Sequence, residues 1–332
     1  VRAVGSTAKG TFLPGDSDVD VVVVSEDVDG AFRAVSSCLP GSEKKGDLKI
    51  WRARVGGGEV DVVVVHPSRT RRWFTLRHAE IYSGLSERQR DDVRRLKAYL
   101  KSRCAYGAEV GGVTGVAAEE MVRRFGSAEE ACRRVVESDS PFWLQDPAAE
   151  EAGVKRNLLA SVTQPKWELA REACRALLAG EELEDYSCRF ERVRPGWTII
   201  DVERPHPQRD RSFQAGWSAC LSACRELRAA EPDVEECSCD AYVDGGRLKV
   251  AFKVRPEQLP PTREACVPPW AGDEAVEAFK ARHPGHYVRE DGYVCAQVER
   301  RVTRPAEFVA RRILDRVAGC LLYTSPSPRD RG

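Results

Sequence analysis

Between residues 5 and 24 the chain runs Gly5-Ser6-Thr7-Ala8-Lys9-Gly10-Thr11, Leu13-Pro14-Gly15, Asp16-Ser17-Asp18-Val19-Asp20, and then the four valines Val21 to Val24. No other stretch restricts the fold as strongly. A β-branched run bounded by glycine and proline reads as a buried strand. Residues two apart on a strand point the same way, so Asp18 and Asp20 share a face. Two adjacent carboxylates repel unless a positive charge lies between them, and a divalent metal is the natural candidate. Upstream, Gly5 and Ser6 allow a tight turn whose backbone N–H groups and hydroxyl can face a phosphate, and Lys9 adds a positive charge. Taken singly, Asp-x-Asp is ordinarily a solvated strand end and a glycine-rich turn is only a turn. The joint pattern is what points to chemistry. It is not a Walker A loop, because Gly10 is followed by Thr11 and not by lysine.

A second run, Glu59-Val60-Asp61 followed by Val62 to Val65, repeats the acid-then-valine order. Gly56-Gly57-Gly58 precedes it, after the strand-like residues 48–55, so a hairpin 48–55/59–65 is predicted. That hairpin could bring Asp61 beside Asp18 and Asp20. Three carboxylates below a Gly-Ser turn are the equipment of two-metal phosphoryl or nucleotidyl transfer.

With these residues in place, Gly5-Ser6-x-Ala8-x-Gly10-Thr11-x-Leu13 and Ser17-Asp18-x-Asp20 resemble the DNA polymerase beta-like nucleotidyltransferases. The form Gly-Ser-x-Ala-Lys-Gly-Thr-x-Leu-Pro-Gly is similar to the archaeal (class I) CCA-adding tRNA nucleotidyltransferases. The resemblance implies an enzyme that builds or repairs the 3′-terminal CCA of tRNA from CTP and ATP with Mg2+. It implies that Asp18, Asp20 and Asp61 hold the metals and that Ser6 and Lys9 hold phosphates. Thr75-Leu76-Arg77-His78 matches a Thr-x-x-His in which the histidine binds nucleotide, implying that role for His78. Leu96-Lys97 and Tyr106-Gly107-Ala108-Glu109 match a pattern in which Lys97 and Tyr106 contact the triphosphate. Asp146-Pro147 with Arg156-Asn157 matches a stretch lining the nucleobase pocket, so Arg156 joins the nucleotide-binding set; read alone, it could equally form a structural salt bridge. Where the family has Ser-Gly this chain has Thr114-Gly115, which keeps the hydroxyl. The implied partners are the acceptor–T arm of tRNA, CTP and ATP; no membrane is implied, and a homodimer is left open.

The expected fold is α+β: a mixed-sheet nucleotidyltransferase head (1–83), a helical nucleotide-binding neck (84–190) and a ferredoxin-like β-α-β-β-α-β body (191–319) for RNA. In the neck, Ser86 with Gln89 forms a capping box ahead of a stripe of Val93, Leu96, Tyr99, Leu100 and Cys104. Strands are expected at 197–202, 234–243, 248–254 and within 287–298, with helices at 209–229, 274–282 and 305–318. Residues 320–332 read as an artefactual tail, and the early start of the motif reads as loss of an N-terminal piece. Among 332 residues, 52 basic and 52 acidic side chains cancel, so an RNA surface must be a local patch. Arg69, Arg71 and Arg72 on the head and Arg300, Arg301 and Arg304 on the body are the candidates. The twelve cysteines lack Cys-x-x-Cys spacing and read as reduced thiols of a cytoplasmic protein, without a zinc site. Two other readings compete. A poly(A)-type or small-molecule nucleotidyltransferase would keep the head and change the acceptor. A non-catalytic RNA-binding relative would have no use for three clustered carboxylates.

Overall fold

The computed structural model describes all residues except 16–17, 45–47, 71–73, 184 and 324–332, with backbone alone at 44, 69–70 and 320–323. The side chains of Arg69, Arg71 and Arg72, together with Asp16, Ser17 and the end of the suspected tail, lie outside the described residues. The chain forms two compact units, Val1–Val193 and Arg194–Gly332.

The first unit opens with β1 (Arg2–Val4), α1 (Gly5–Lys9), β2 (Val19–Val24), α2 (Val28–Cys38), β3 (Gly41–Lys44), β4 (Lys49–Val55) and β5 (Gly58–Val65). These strands form one mixed sheet in the order β1-β2-β5-β4-β3. Its centre is the parallel pairing of the two valine strands, β2 and β5. Alternation puts Asp20 and Val22 on one face of β2, and Asp61, Val63 and Val65 on the same face of β5. The valines of that face join Val4, Leu48, Ile50, Leu76 and Ala79 in a hydrophobic cluster. The opposite face carries Trp51, which meets Phe32 of α2 edge-on at 5.9 Å.

Helices follow: α3 (Pro67–Thr70), α4 (Thr75–Ser83), α5 (Glu87–Ser102), α6 (Gly115–Phe125), α7 (Ala128–Glu137), α8 (Pro147–Glu151), α9 (Gln164–Leu178) and α10 (Phe190–Val193). The capping box of Ser86 and Gln89 starts α5, and Val93, Leu96 and Leu100 are buried along it. Asp146 caps α8 by accepting from the Ala148 and Ala149 N–H groups.

In the second unit, β6 (Thr198–Glu203), α11 (Arg209–Ala230), β7 (Glu236–Asp244) and β8 (Arg247–Arg255) make an antiparallel sheet in the order β6-β8-β7. Gly216 allows α11 to lie close on this sheet: a Cβ there would sit 2.9 Å from Val250 and 3.0 Å from Leu248. This β-α-β-β part follows the ferredoxin-like expectation, but the closing strand does not. β9 (Thr262–Val267), α12 (Asp273–Arg282), β10 (Tyr287–Val288) and β11 (Val294–Glu299) form a separate sheet, β10-β11-β9. Every residue of β11 is paired with β9, a strand not read from the sequence, so β11 is not the fourth strand of the β6-β8-β7 sheet. The last helix, α13 (Pro305–Tyr323), packs on α11.

The structure also brings eight of the cysteines read as reduced thiols into four close pairs: Cys104–Cys188, Cys220–Cys239, Cys224–Cys237 and Cys266–Cys295. Their pairing crosses between elements, so no local Cys-x-x-Cys announces it. Among the described residues, no helix is long and apolar enough to cross a membrane.

Candidate active site

The parallel register of β2 and β5 sets Asp20 directly beside Asp61. With Asp18, which precedes β2, the three carboxylates each offer an oxygen within 4.8 Å of the others. Asp61 is buried, while Asp18 and Asp20 are half-buried. The turn between β1 and α1 closes over the group. Gly5 has φ +68°, and a Cβ there would lie 2.0 Å from Asp20 Oδ2, so only glycine fits. The Thr7 hydroxyl donates to the Asp18 carbonyl, at 3.2 Å, tying α1 to the acids.

One cation at this site was not foreseen. Arg52 is Asp61's partner across the β4–β5 register. Its guanidinium donates to both Asp61 oxygens at 2.7 Å and lies 3.1 Å from Glu59 and 3.8 Å from Asp18. The Asp61 hydrogen bonds, with the charges of Asp61, Glu59 and Asp18, outweigh burial and raise the Arg52 pKa. The signal was present as an arginine amid the alternation of residues 48–55, yet only the strand register shows whom it meets. The donor set fits a hard divalent cation, since all three ligands are carboxylate oxygens. A carboxylate has about four lone-pair sites, so Asp61 can hold Arg52 and still offer a position to a metal.

Behind this face a buried charge network joins α1, α5 and α6. Lys9, 5% exposed, lies 2.5 Å from Glu119 Oε2, and the Thr11 hydroxyl donates to Glu119 Oε1. Lys97, 1% exposed, donates to Glu119 Oε1 at 2.9 Å, to the Thr11 carbonyl at 3.0 Å and to the Thr11 hydroxyl at 3.1 Å. Those contacts engage the three donors of an ammonium, so a direct phosphate contact from Lys97 requires one to be released. Burial pushes the Glu119 carboxyl up, but the charges of Lys97 and Lys9 and the hydrogen bonds from Lys9 and Thr11 hold it below the ordinary range. Glu119 was passed over because its helix reads as apolar around it.

Tyr106 and Lys97 converge on the start of α6. A Cβ on Gly115 would lie 3.0 Å from the Tyr106 hydroxyl oxygen and 3.6 Å from Lys97 Nζ. Thr114 caps that helix through the Ala117 N–H. His78, on α4, is buried, and its Nε2 lies 2.8 Å from Asp146 Oδ1. Arg156 lies 3.2 Å from Asp146 Oδ2 and 5.5 Å from the Phe74 ring centroid, with half its side chain exposed. Burial pushes the Asp146 carboxyl up, but His78, the Ala149 N–H and Arg156 together hold it below its ordinary value. His78 and Arg156 are therefore brought together through a shared carboxylate. Ser6 lies in α1, half-buried, one residue beyond Gly5.

A family model described as "Nucleotidyltransferase domain" matches residues 1–55. The CCA-adding enzyme of Pyrobaculum islandicum is 32% identical over 316 residues, covering 84% of this chain and 74% of that protein. Those of Pyrobaculum neutrophilum and Methanopyrus kandleri are 27% and 25% identical over 86% and 94% of this chain, and over 75% and 77% of their own lengths. Among solved structures, a cytoplasmic RNA terminal U-transferase superposes with a TM-score of 0.42 at 13% identity, covering 56% of this chain and 83% of that one.

Proposed function

Because this chain belongs to the CCA-adding enzyme family, we propose that it adds or repairs the 3′-terminal CCA of tRNA in the cytoplasm. The reaction joins the tRNA 3′-hydroxyl oxygen to the α-phosphorus of CTP or ATP and releases pyrophosphate. The observation that carries this reading is the Asp18, Asp20 and Asp61 cluster on two paired strands. Those carboxylates would hold two Mg2+ ions. Bound there, Mg2+ supplies the positive charge that makes the 3′-hydroxyl easier to deprotonate and the pyrophosphate easier to release.

The remaining roles belong to the protein. The Gly5-Ser6 turn approaches the phosphates from β1 and α1, and Lys9 reaches them by loosening its pair with Glu119. Lys97 and Tyr106, side by side at the start of α6, take the triphosphate, with Glu119 holding both lysines in place until it arrives. Asp146 fixes the His78 ring by its hydrogen bond to Nε2 and steers Arg156 toward the nucleobase. Arg52 limits repulsion among the carboxylates. On this reading residues 1–83 are the catalytic head, 84–190 the nucleotide-binding neck and 191–319 the RNA-binding body.

The test is incorporation of labelled CTP and ATP into tRNAs ending before, within and after CCA, with Mg2+ and with a chelator. Stage-appropriate incorporation that the chelator abolishes is expected. Asp61→Ala should lower turnover by orders of magnitude, far more than any loss of folded protein from breaking its pair with Arg52 explains. Turnover within about tenfold of the parent would remove Asp61 from the metal-binding set. Equal incorporation into every acceptor, complete CCA ends included, would overturn CCA addition.

A further inference from the structure

We propose that Cys220, Cys224, Cys237 and Cys239 form a tetrathiolate site for one structural zinc ion in the second unit. Cys220 and Cys224 are four residues apart on α11 and share a helix face. Cys237 and Cys239 are two apart on β7 and share a strand face. The two faces meet, and all four residues are 7% exposed or less.

Three of the sulfurs, of Cys220, Cys224 and Cys239, form one group, and the fourth, of Cys237, adjoins that of Cys224. Cys220 is opposite Cys239 and Cys224 opposite Cys237, with Cα separations of 6.0 and 5.6 Å. Across the two pairs, the Cys224 and Cys239 sulfurs are 3.5 Å apart. Those of Cys220, Cys224 and Cys239 all lie within 4.8 Å of one another. A tetrahedral zinc with Zn–S bonds of about 2.3 Å places its sulfurs about 3.8 Å apart. Zinc binding therefore requires the two close pairs to open by side-chain rotation, with the Cys237 sulfur turning toward those of Cys220 and Cys239. Arg228, one turn after Cys224, donates to the Cys237 carbonyl at 3.2 Å, which brings a positive charge to a site that zinc leaves doubly negative.

The pairs Cys220–Cys239 and Cys224–Cys237 are also close enough to be two disulfides, but two disulfides explain the clustering of all four cysteines less well. The inner bridge, of sequence separation 13, is nested in the outer one, of separation 19. Once the outer loop is closed, the inner closure removes little further chain entropy. One bridge would tie α11 to β7, whereas a closed zinc site needs all four thiolates. The compartment rests on the proposed function: an enzyme of tRNA and nucleoside triphosphates works where thiols stay reduced, and there such a cluster reads as metal-binding. Zinc binding also needs no oxidant. Four thiols and Zn2+ give the tetrathiolate and four protons, whereas two disulfides require four electrons to be removed as well.

The experiment is to purify the full chain anaerobically with reductant and without chelator, then measure metal content and alkylatable thiols. About one zinc per chain is expected, falling to background in Cys220→Ser and Cys239→Ser. It should stay in Cys38→Ser and in Asp61→Ala, which separates it from metal at the carboxylates. Reconstitution with cobalt(II) should give the thiolate-to-cobalt charge-transfer absorption of a tetrahedral site. If the serine variants do not fold, stripping the parent with a zinc chelator must lower its melting temperature. A folded, reduced chain with all four thiols alkylatable and less than about 0.1 zinc would overturn the proposal. So would two intact disulfides in anaerobically isolated protein. These readouts do not depend on nucleotidyl transfer, so loss of CCA addition and loss of zinc are separate results.

Discussion

Glu119 is the residue on which most else in the first unit leans. It is a buried carboxylate between two lysines drawn from α1 and α5. Removing one member of a buried ion network leaves uncompensated charge and typically costs about 3–5 kcal/mol. Glu119→Gln should therefore lower stability by about that amount, read by denaturant unfolding, and should weaken NTP binding by releasing Lys9 and Lys97 from their positions. Stability within about 0.5 kcal/mol of the parent would mean that the network relaxes without cost. Asp146 gives a pH test. Its folded pKa lies below the unfolded value of about 3.9. A depressed carboxyl contributes stability that is present above the unfolded pKa and is lost as pH falls through the folded one. Asp146→Asn keeps a capping side chain but not the charge. The stability gap between parent and variant should thus be open at pH 5 and above and shrink progressively below about pH 4. A gap that persists unchanged at about pH 2 would show that the charge is not its source.

At the scale of elements, the turn from β1 into α1 is the tightest constraint. Gly5→Ala would force both a positive-φ backbone and a Cβ into the Asp20 carboxylate. Strain of this kind costs about 1–3 kcal/mol, and displacement of Asp20 should lower turnover far more than the loss of folded protein explains. Thermal melting alongside single-turnover rates checks this; a variant that loses stability but keeps its rate would place the strain elsewhere. The same scale shows what the sequence could disclose. β2, the β4–β5 hairpin, α5 with its box and α11 follow from valine runs, glycine turns, a Ser-x-x-Gln signal and helical spacing, all of them local. Arg52 and Glu119 act through partners 9 and 110 residues from them, and no local pattern carries such contacts. β9 was missed because Thr262-Arg263-Glu264-Ala265 has little of a strand's usual composition. Without β9, the pairing of β11 could not be foreseen.

For the whole molecule, RNA affinity must come from patches, since 52 basic and 52 acidic residues cancel. Arg300 is an unsuitable phosphate contact: it is buried and ion-paired with Glu231 and Asp233. Arg304 is exposed and pairs at the surface with Glu307 at 2.8 Å, where water screens the pair, and Arg301 is exposed. In minihelix titrations at several salt concentrations, Arg301→Ala with Arg304→Ala should reduce the salt slope by about 1–2 without changing the melting temperature. Arg300→Ala should do the reverse, lowering the melting temperature and leaving the slope. An unchanged slope in the double variant would move the RNA surface away from this part of the body.

The parallel pairing of β2 with β5 has a practical consequence for anyone preparing this protein. Val21–Val24 and Val62–Val65 are uniform runs, so the valines cannot by themselves count off their own alignment. A slide of two residues would keep every valine on its face and most of the hydrogen bonding, yet carry Asp61 about 6.6 Å along the sheet from Asp20. Chains assembled that way would give nearly the same circular dichroism and none of the turnover. Specific activity, measured against the concentration of folded protein, is therefore the readout that would register such a slip, where circular dichroism would not.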